Sequence, residues 1–167
     1  MTINSNDNFN KLLYEMKFKS RMNIFYHEGR ESFFNGFISF TTFVSLIFSS
    51  VSFAAIGNII TNITSTNNYI ISFCALLVAV LNGGVLAYGM HSKRILHSDL
   101  KKKWIDLLKD IQMLKDYGEG NILEIEKKMA SINSSEPAPN MKKLEEAQTQ
   151  TERAFGIIIK GSKLRAC

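Results

Sequence analysis

The sequence predicts an all-α membrane protein, a two-helix transmembrane hairpin between N-terminal and C-terminal cytosolic helices, assembled as an oligomeric helical bundle. Three observations predict it. From residue 32 to residue 92 the chain has no Asp, Glu, Lys or Arg, a run of 61 residues. Polar residues 61–68 split that run into apolar segments at 33–60 and 69–90. At a rise of about 1.5 Å per residue these reach roughly 33 to 42 Å, enough to cross a hydrocarbon core of ~30 Å. The third observation is charge. Lys11, Lys17, Lys19, Arg21 and Arg30 precede the run, Lys93, Arg94, Lys101, Lys102, Lys103 and Lys109 follow it, and the connection between the spans has no basic residue. The positive-inside bias then places both termini in the cytoplasm and the 61–68 turn outside. Three regions follow: a cytosolic N-terminal helix in 1–31, the hairpin in 32–92 and a cytosolic α-helical region in 93–167.

Whole-chain averages conceal this organisation. An apolar content of 46% and a net charge of +5 describe an ordinary globular domain, yet they average a very apolar third with two charged thirds. Some 30 polar and charged residues precede the first apolar segment, which argues against a cleaved signal peptide. The net positive charge is largely juxtamembrane and suits anionic lipid headgroups, with Lys101, Lys102 and Lys103 as candidate contacts. A basic face could also meet nucleic acid, but headgroups account for it without a further partner. Cys74 in the second span and Cys167 at the last position are not placed to pair. Asn62-Ile63-Thr64 matches a glycosylation sequon, a weak signal so near a bilayer.

Taken in order, Phe9, Leu12, Leu13 and Met16 recur at helical spacing, and Ile24, Phe25 and Tyr26 lead towards the membrane. A cytosolic helix therefore runs into the first span, with a bend near Gly29. In that span Asn35, Ser39, Thr42, Ser45, Ser49 and Ser52 follow one another at steps of 4, 3, 3, 4 and 3, a single stripe of small or polar side chains. Such a stripe packs helices closely, or it lines a pore. The second span has Ser72, Ala75 and Ala79, then Asn82, Gly83 and Gly84, which predict a crossover point or a hinge. Beyond residue 92 the pattern turns amphipathic. Leu96, Leu100, Trp104, Leu107, Ile111 and Leu114 form a heptad-like seam, with Leu100 to Leu114 expected to meet a partner or sister copies. The Tyr117-Gly118-Glu119-Gly120-Asn121 stretch stops that helix. A second cytosolic helix carries Ile122, Ile125, Met129 and Ile132. Pro137 and Pro139 mark a rigid loop, and a third helix runs from about Met141 through Leu144, Ala147 and Thr151 to Phe155. Seams this short predict packing on each other, on the N-terminal helix or on sister subunits.

Catalytic patterns are missing from the sequence. There is no Gly-rich phosphate loop ending in Lys-Ser/Thr, no His-Glu-x-x-His and no paired Cys-x-x-Cys. His91, His97 and Asp99 are spaced around a helix rather than along one face, so solvated juxtamembrane residues are expected there, not a metal site. His27 reads as an interfacial anchor. No enzyme and no cofactor are expected. Eight residues between the spans leave no room for a re-entrant filter, so any pore must be lined by the spans, with the Asn35–Ser52 stripe in front.

Arg21, Asn23, Tyr26 and His27 before the spans, His91-Ser92-Lys93-Arg94 after them, then Trp104-x-x-Leu107 and Ile132-x-x-x-Glu136-Pro137, make an arrangement that resembles the SLATT family. These are two-helix membrane effectors of bacterial conflict systems, and the likeness covers about residues 10–155. The resemblance implies an effector of anti-phage defence in the bacterial inner membrane, oligomeric, forming pores or depolarising the membrane. It implies a trigger from a separate cytosolic sensor, such as a nucleotide-second-messenger synthetase or a reverse-transcriptase (retron-like) module. No catalytic residues carry over. A membrane tether or assembly subunit that recruits a soluble partner and conducts nothing is the alternative reading.

Overall fold

The computed structural model describes residues 5–61, 65–117 and 122–156, and every described element is helical. Helix α1 spans Ser5–Thr61, α2 Ser65–Ala87, α3 Met90–Tyr117, α4 Ile122–Ser134 and α5 Met141–Ala154. Two of these helices are long and apolar enough to cross a membrane. Helical hydrogen bonding runs unbroken through Gly29, the expected place of a bend. With nothing within 4 Å of a Cβ built there, Gly29 serves no close approach. The expected 61–68 turn is shorter than read, since 65–68 already belong to α2 and 62–64 lie outside the described residues.

The chain divides into two compact units. One consists of residues up to Arg30 together with those from Leu96 onward, the other of Glu31–Ile95.

In the first unit α1 presents one face at helical steps, Leu13, Met16, Ser20, Asn23 and His27, all buried. Its lower part is apolar and its upper part polar. Against it lie α3, through Leu100, Trp104, Leu107, Ile111 and Leu114, and α4, through Ile125, Met129 and Ile132. Helix α4 is short for an isolated helix, so this packing rather than intrinsic propensity holds it. Lys128 adds a surface tie from α4 to Asp110 of α3 at 3.0 Å, and the neighbouring carboxylates Asp110 and Glu124 raise its pKa.

Helix α5 starts where its sequence says it should. Pro139 keeps the preceding backbone extended, and the Asn140 side chain accepts a hydrogen bond from Lys143 N–H at 3.2 Å, a standard N-cap. It buries Ala147 and Thr151. It ends as Phe155 N–H returns to Thr151 O at 2.9 Å and Gly156 takes a φ of +70°, a conformation open to glycine at little cost. Phe155 then packs on Tyr14 and Phe18 of α1, with centroids 5.4 and 5.6 Å away.

In the second unit the buried face of α1 is Phe34, Thr41 and Ser45, and that of α2 is Cys74 and Val85. Thr41 returns its hydroxyl to the carbonyls of Phe37 and Ile38 of its own helix. The Ser45 Oγ is buried with no hydrogen-bond partner among the described residues. At the open end Arg94 donates to Asn35 Oδ1 at 3.2 Å. Helix α2 closes at Gly89, with φ +58° and its N–H on Leu86 O, and α3 begins at once.

Candidate functional site

The upper, polar end of the first unit's core holds a cluster that joins three segments distant in sequence. Steps of three and four along α1 put Asn23, Tyr26 and His27 on its inward side, 6%, 5% and 0% exposed. Two turns of α3 separate His97 from Trp104, so both face the same way, 4% and 0% exposed. Glu136 is delivered by the turn after α4, in which Ser135 N–H bonds Ile132 O and Glu136 N–H bonds Asn133 O, and Pro137 prevents the helix from resuming.

The hydrogen bonds form a chain. A carboxylate only accepts, so His27 Nε2–H donates to Glu136 Oε1 at 3.0 Å. Trp104 Nε1–H donates to the same oxygen at 2.6 Å. On its other edge, His27 Nδ1 faces His97 Nδ1 at 2.9 Å, with the ring centroids 5.2 Å apart. The Tyr26 ring stands edge-on to both imidazoles, and its hydroxyl accepts the Asn140 N–H at 3.0 Å. The cluster thus ties α1 to α3 and to both ends of the α4–α5 connection.

The electrostatics follow from this geometry. Burial lowers the pKa of His97 to about 4, assisted by the positive charges of His27 and Arg30 and opposed by Glu136. For Glu136, burial pushes the carboxyl up. The hydrogen bonds from His27 and Trp104, with the charges of His27 and Lys19, outweigh it and hold the pKa below the ordinary value. The cluster therefore favours a neutral His97 beside an ionised Glu136. It is not arranged for a metal. The two nitrogens of His27 point to opposite sides, and no group of three or more His, Cys, Asp or Glu among the described residues could hold an ion.

Of the stripe read from the sequence, Asn35, Ser39 and Thr42 are exposed, Ser49 is half-buried and only Ser45 is buried, while the side chain of Ser52 lies outside those described. The buried face of α1 in this unit is Phe34, Thr41 and Ser45, one residue around the helix from most of the stripe, and the bulkier Phe33, Phe37, Phe40 and Phe43 are exposed. Asn82 and Gly83 are exposed and Gly84 half-buried. The break after α2 falls at Gly89, not at the expected hinge, and a Cβ at Gly83 or Gly84 would meet nothing within 4 Å, so neither is a close-approach point within the chain. The seam Leu100, Trp104, Leu107, Ile111 and Leu114 is 0 to 3% exposed. It is the unit's own core, which corrects its expected role of meeting a partner or sister copies. Lys102 and Lys103 are exposed, Lys102 lying 4.0 Å from Asp99, and Lys101 is half-buried.

Sequence reasoning missed the cluster. It placed His27 and His97 at solvated interfaces, but both are buried and in contact across 70 positions. A signal did exist. His27 continues the 3-4 repeat of Leu13 and Met16, and His97 stands three residues before Leu100 in the seam. Comparison of the chain with family models, curated proteins and solved structures returns no match.

Proposed function

We propose that the chain is an oligomeric, multi-pass inner-membrane effector of bacterial anti-phage defence, with both termini cytoplasmic, which permeabilises the membrane when a separate sensor acts on its helical unit. The observation that carries this reading is where the hairpin leaves its polar residues. Ser39 and Thr42 on α1 and Ser72 and Asn82 on α2 are exposed in a segment without a charged side chain, as is Asn35, which accepts from Arg94, while Thr42 returns its hydroxyl to Ile38 O. Hydroxyl and amide groups facing hydrocarbon are costly, so in a bilayer these faces turn to sister copies or to a water-filled lumen. The absence of any Asp, Glu, Lys or Arg there suits a weakly selective lumen, as a depolarising effector requires.

The buried cluster is consistent with a regulated helical unit. Seven of the residues on which the resemblance rests (Asn23, Tyr26, His27, Trp104, Leu107, Ile132 and Glu136) lie in the core or the hydrogen-bonded chain above it. The seam being occupied internally, a sensor would have to engage the exposed faces of α3, α4 and α5 or displace one of them.

The test is membrane potential, read with a voltage-sensitive dye in cells expressing the chain with and without candidate sensors. Depolarisation that Ser39→Leu with Thr42→Leu abolishes, while membrane insertion persists, supports the effector. An unchanged potential under every triggering condition leaves the non-conducting tether as the function.

A further inference from the structure

We propose that the facing imidazoles of His27 and His97 are a proton-operated latch: sharing one proton they clamp α1 to α3 and, through Glu136, to the α4–α5 connection, and a second proton parts them. The proposal concerns the helical unit alone and stands whether or not the hairpin conducts.

The geometry carries it. A separation of 2.9 Å between Nδ1 atoms is a hydrogen bond only if one nitrogen donates and the other accepts. With neither protonated, two lone pairs face each other; with both protonated, two N–H groups collide. One proton between the rings is therefore the condition of contact. Two neutral rings meet that condition with the proton on His97 Nδ1, and so does one imidazolium beside a neutral ring, balanced by Glu136 at 3.0 Å from His27 Nε2. A second would place like charges side by side in a site from which water is excluded, both rings being at most 4% exposed.

The surrounding groups tilt the balance the same way. From α1, Arg30 acts against a further positive charge on His97 and Lys19 adds a second positive charge near Glu136; from the connection, Glu136 acts for it. Tyr26 of α1 and Trp104 of α3 wall the rings and bring hydroxyl and indole dipoles only. Among the described residues the core below the cluster is Leu, Ile, Met and Trp, none of which titrates. The position suits control. His27 lies one turn before Arg30 and His97 one residue after Leu96, the points where α1 and α3 leave the unit.

The molecule contains its own reporter. Trp104 is the single tryptophan of the chain and shares the Glu136 oxygen with His27. Its emission is to be followed from pH 8 to pH 4 in the full-length chain in nanodiscs, with helicity followed by circular dichroism. The latch requires a red shift and greater acrylamide quenching, with a midpoint below pH 6.5 and helicity retained. His97→Asn keeps an amide able to meet His27 Nδ1 and does not titrate, so it should abolish the transition. Because Glu136 remains in that variant, an unchanged transition would assign the effect to the carboxyl and overturn the latch. Should His97→Asn not fold, histidine ring NMR on the wild-type chain decides. His97 staying neutral at a pH where exposed His91 is protonated upholds the proposal, and the two titrating together overturns it.

Discussion

At the scale of the residue, one carboxylate oxygen organises the polar end of the first unit's core. Glu136 Oε1 takes both the His27 and the Trp104 N–H, so Glu136→Ala leaves two buried donors unpaired. At about 1–3 kcal/mol for each, the apparent Tm of the helical unit should fall well below that of Glu136→Gln, which keeps an acceptor. Differential thermal melts of the two variants check this ordering. The pH dependence has a definite sign. His97 titrates at about 4 in the fold and near 6.5 when unfolded, so the native state prefers it neutral. That contribution is complete above pH 6.5 and is lost as the pH falls towards 4, at up to about 1.4 kcal/mol per pH unit. Glu136, held below its ordinary value, contributes above that value and adds a further loss in stronger acid. Melting temperatures at pH 7.5, 6, 5 and 4.5 should fall in that order, and a flat profile would refute the assignment.

At the scale of the element, the helices differ in what holds them. Helix α4 depends on burial. Ile125→Ala should cost about 2–5 kcal/mol, whereas Leu123→Ala, at a position 63% exposed, should change stability by no more than about 0.5 kcal/mol. Helix α5 depends more on its cap. Asn140→Ala removes the bond from Lys143 N–H and should cost about 1 kcal/mol, with Asn140→Asp retaining it. Chemical denaturation of the four variants measures both contrasts. Most of this was legible in the sequence, because Ile125, Met129 and Ile132, Ala147 and Thr151, and the Pro139-Asn140 stop signal are local patterns. The exception is α1. A stripe of six polar residues reads as a packing or pore-lining face when the helix is taken alone, yet the residues of α1 buried in the second unit are Phe34, Thr41 and Ser45.

At the scale of the whole molecule, the exposure of that stripe has a consequence. Polar groups left outside the hairpin make assembly of several copies the economical solution in a bilayer. With Cys74 and Cys167 replaced by Ser, a cysteine at Ser39 or Ser72 should give oxidative dimers between chains in membranes, and one at Thr41, 2% exposed, should not. Equal yields at all three positions would remove the exposed faces as an interface. The seam Leu100–Leu114 makes the complementary point. Heptad spacing announces that a helix has an apolar partner without saying whose, and here the partners are α1 and α4 of the same chain.

The sequence by itself determined what depends on composition and short periods: two apolar stretches of membrane-crossing length, α4 and α5 within a residue or two of where they start and stop, and the apolar seams of α3 and α4. Tertiary structure alone decided which faces meet. That choice turned on pairings across 70 and 109 positions, His27 with His97 and with Glu136. No local pattern encodes such a pairing. A histidine at helical spacing looks the same whether it ends in water or, as here, opposite another histidine in the dry interior.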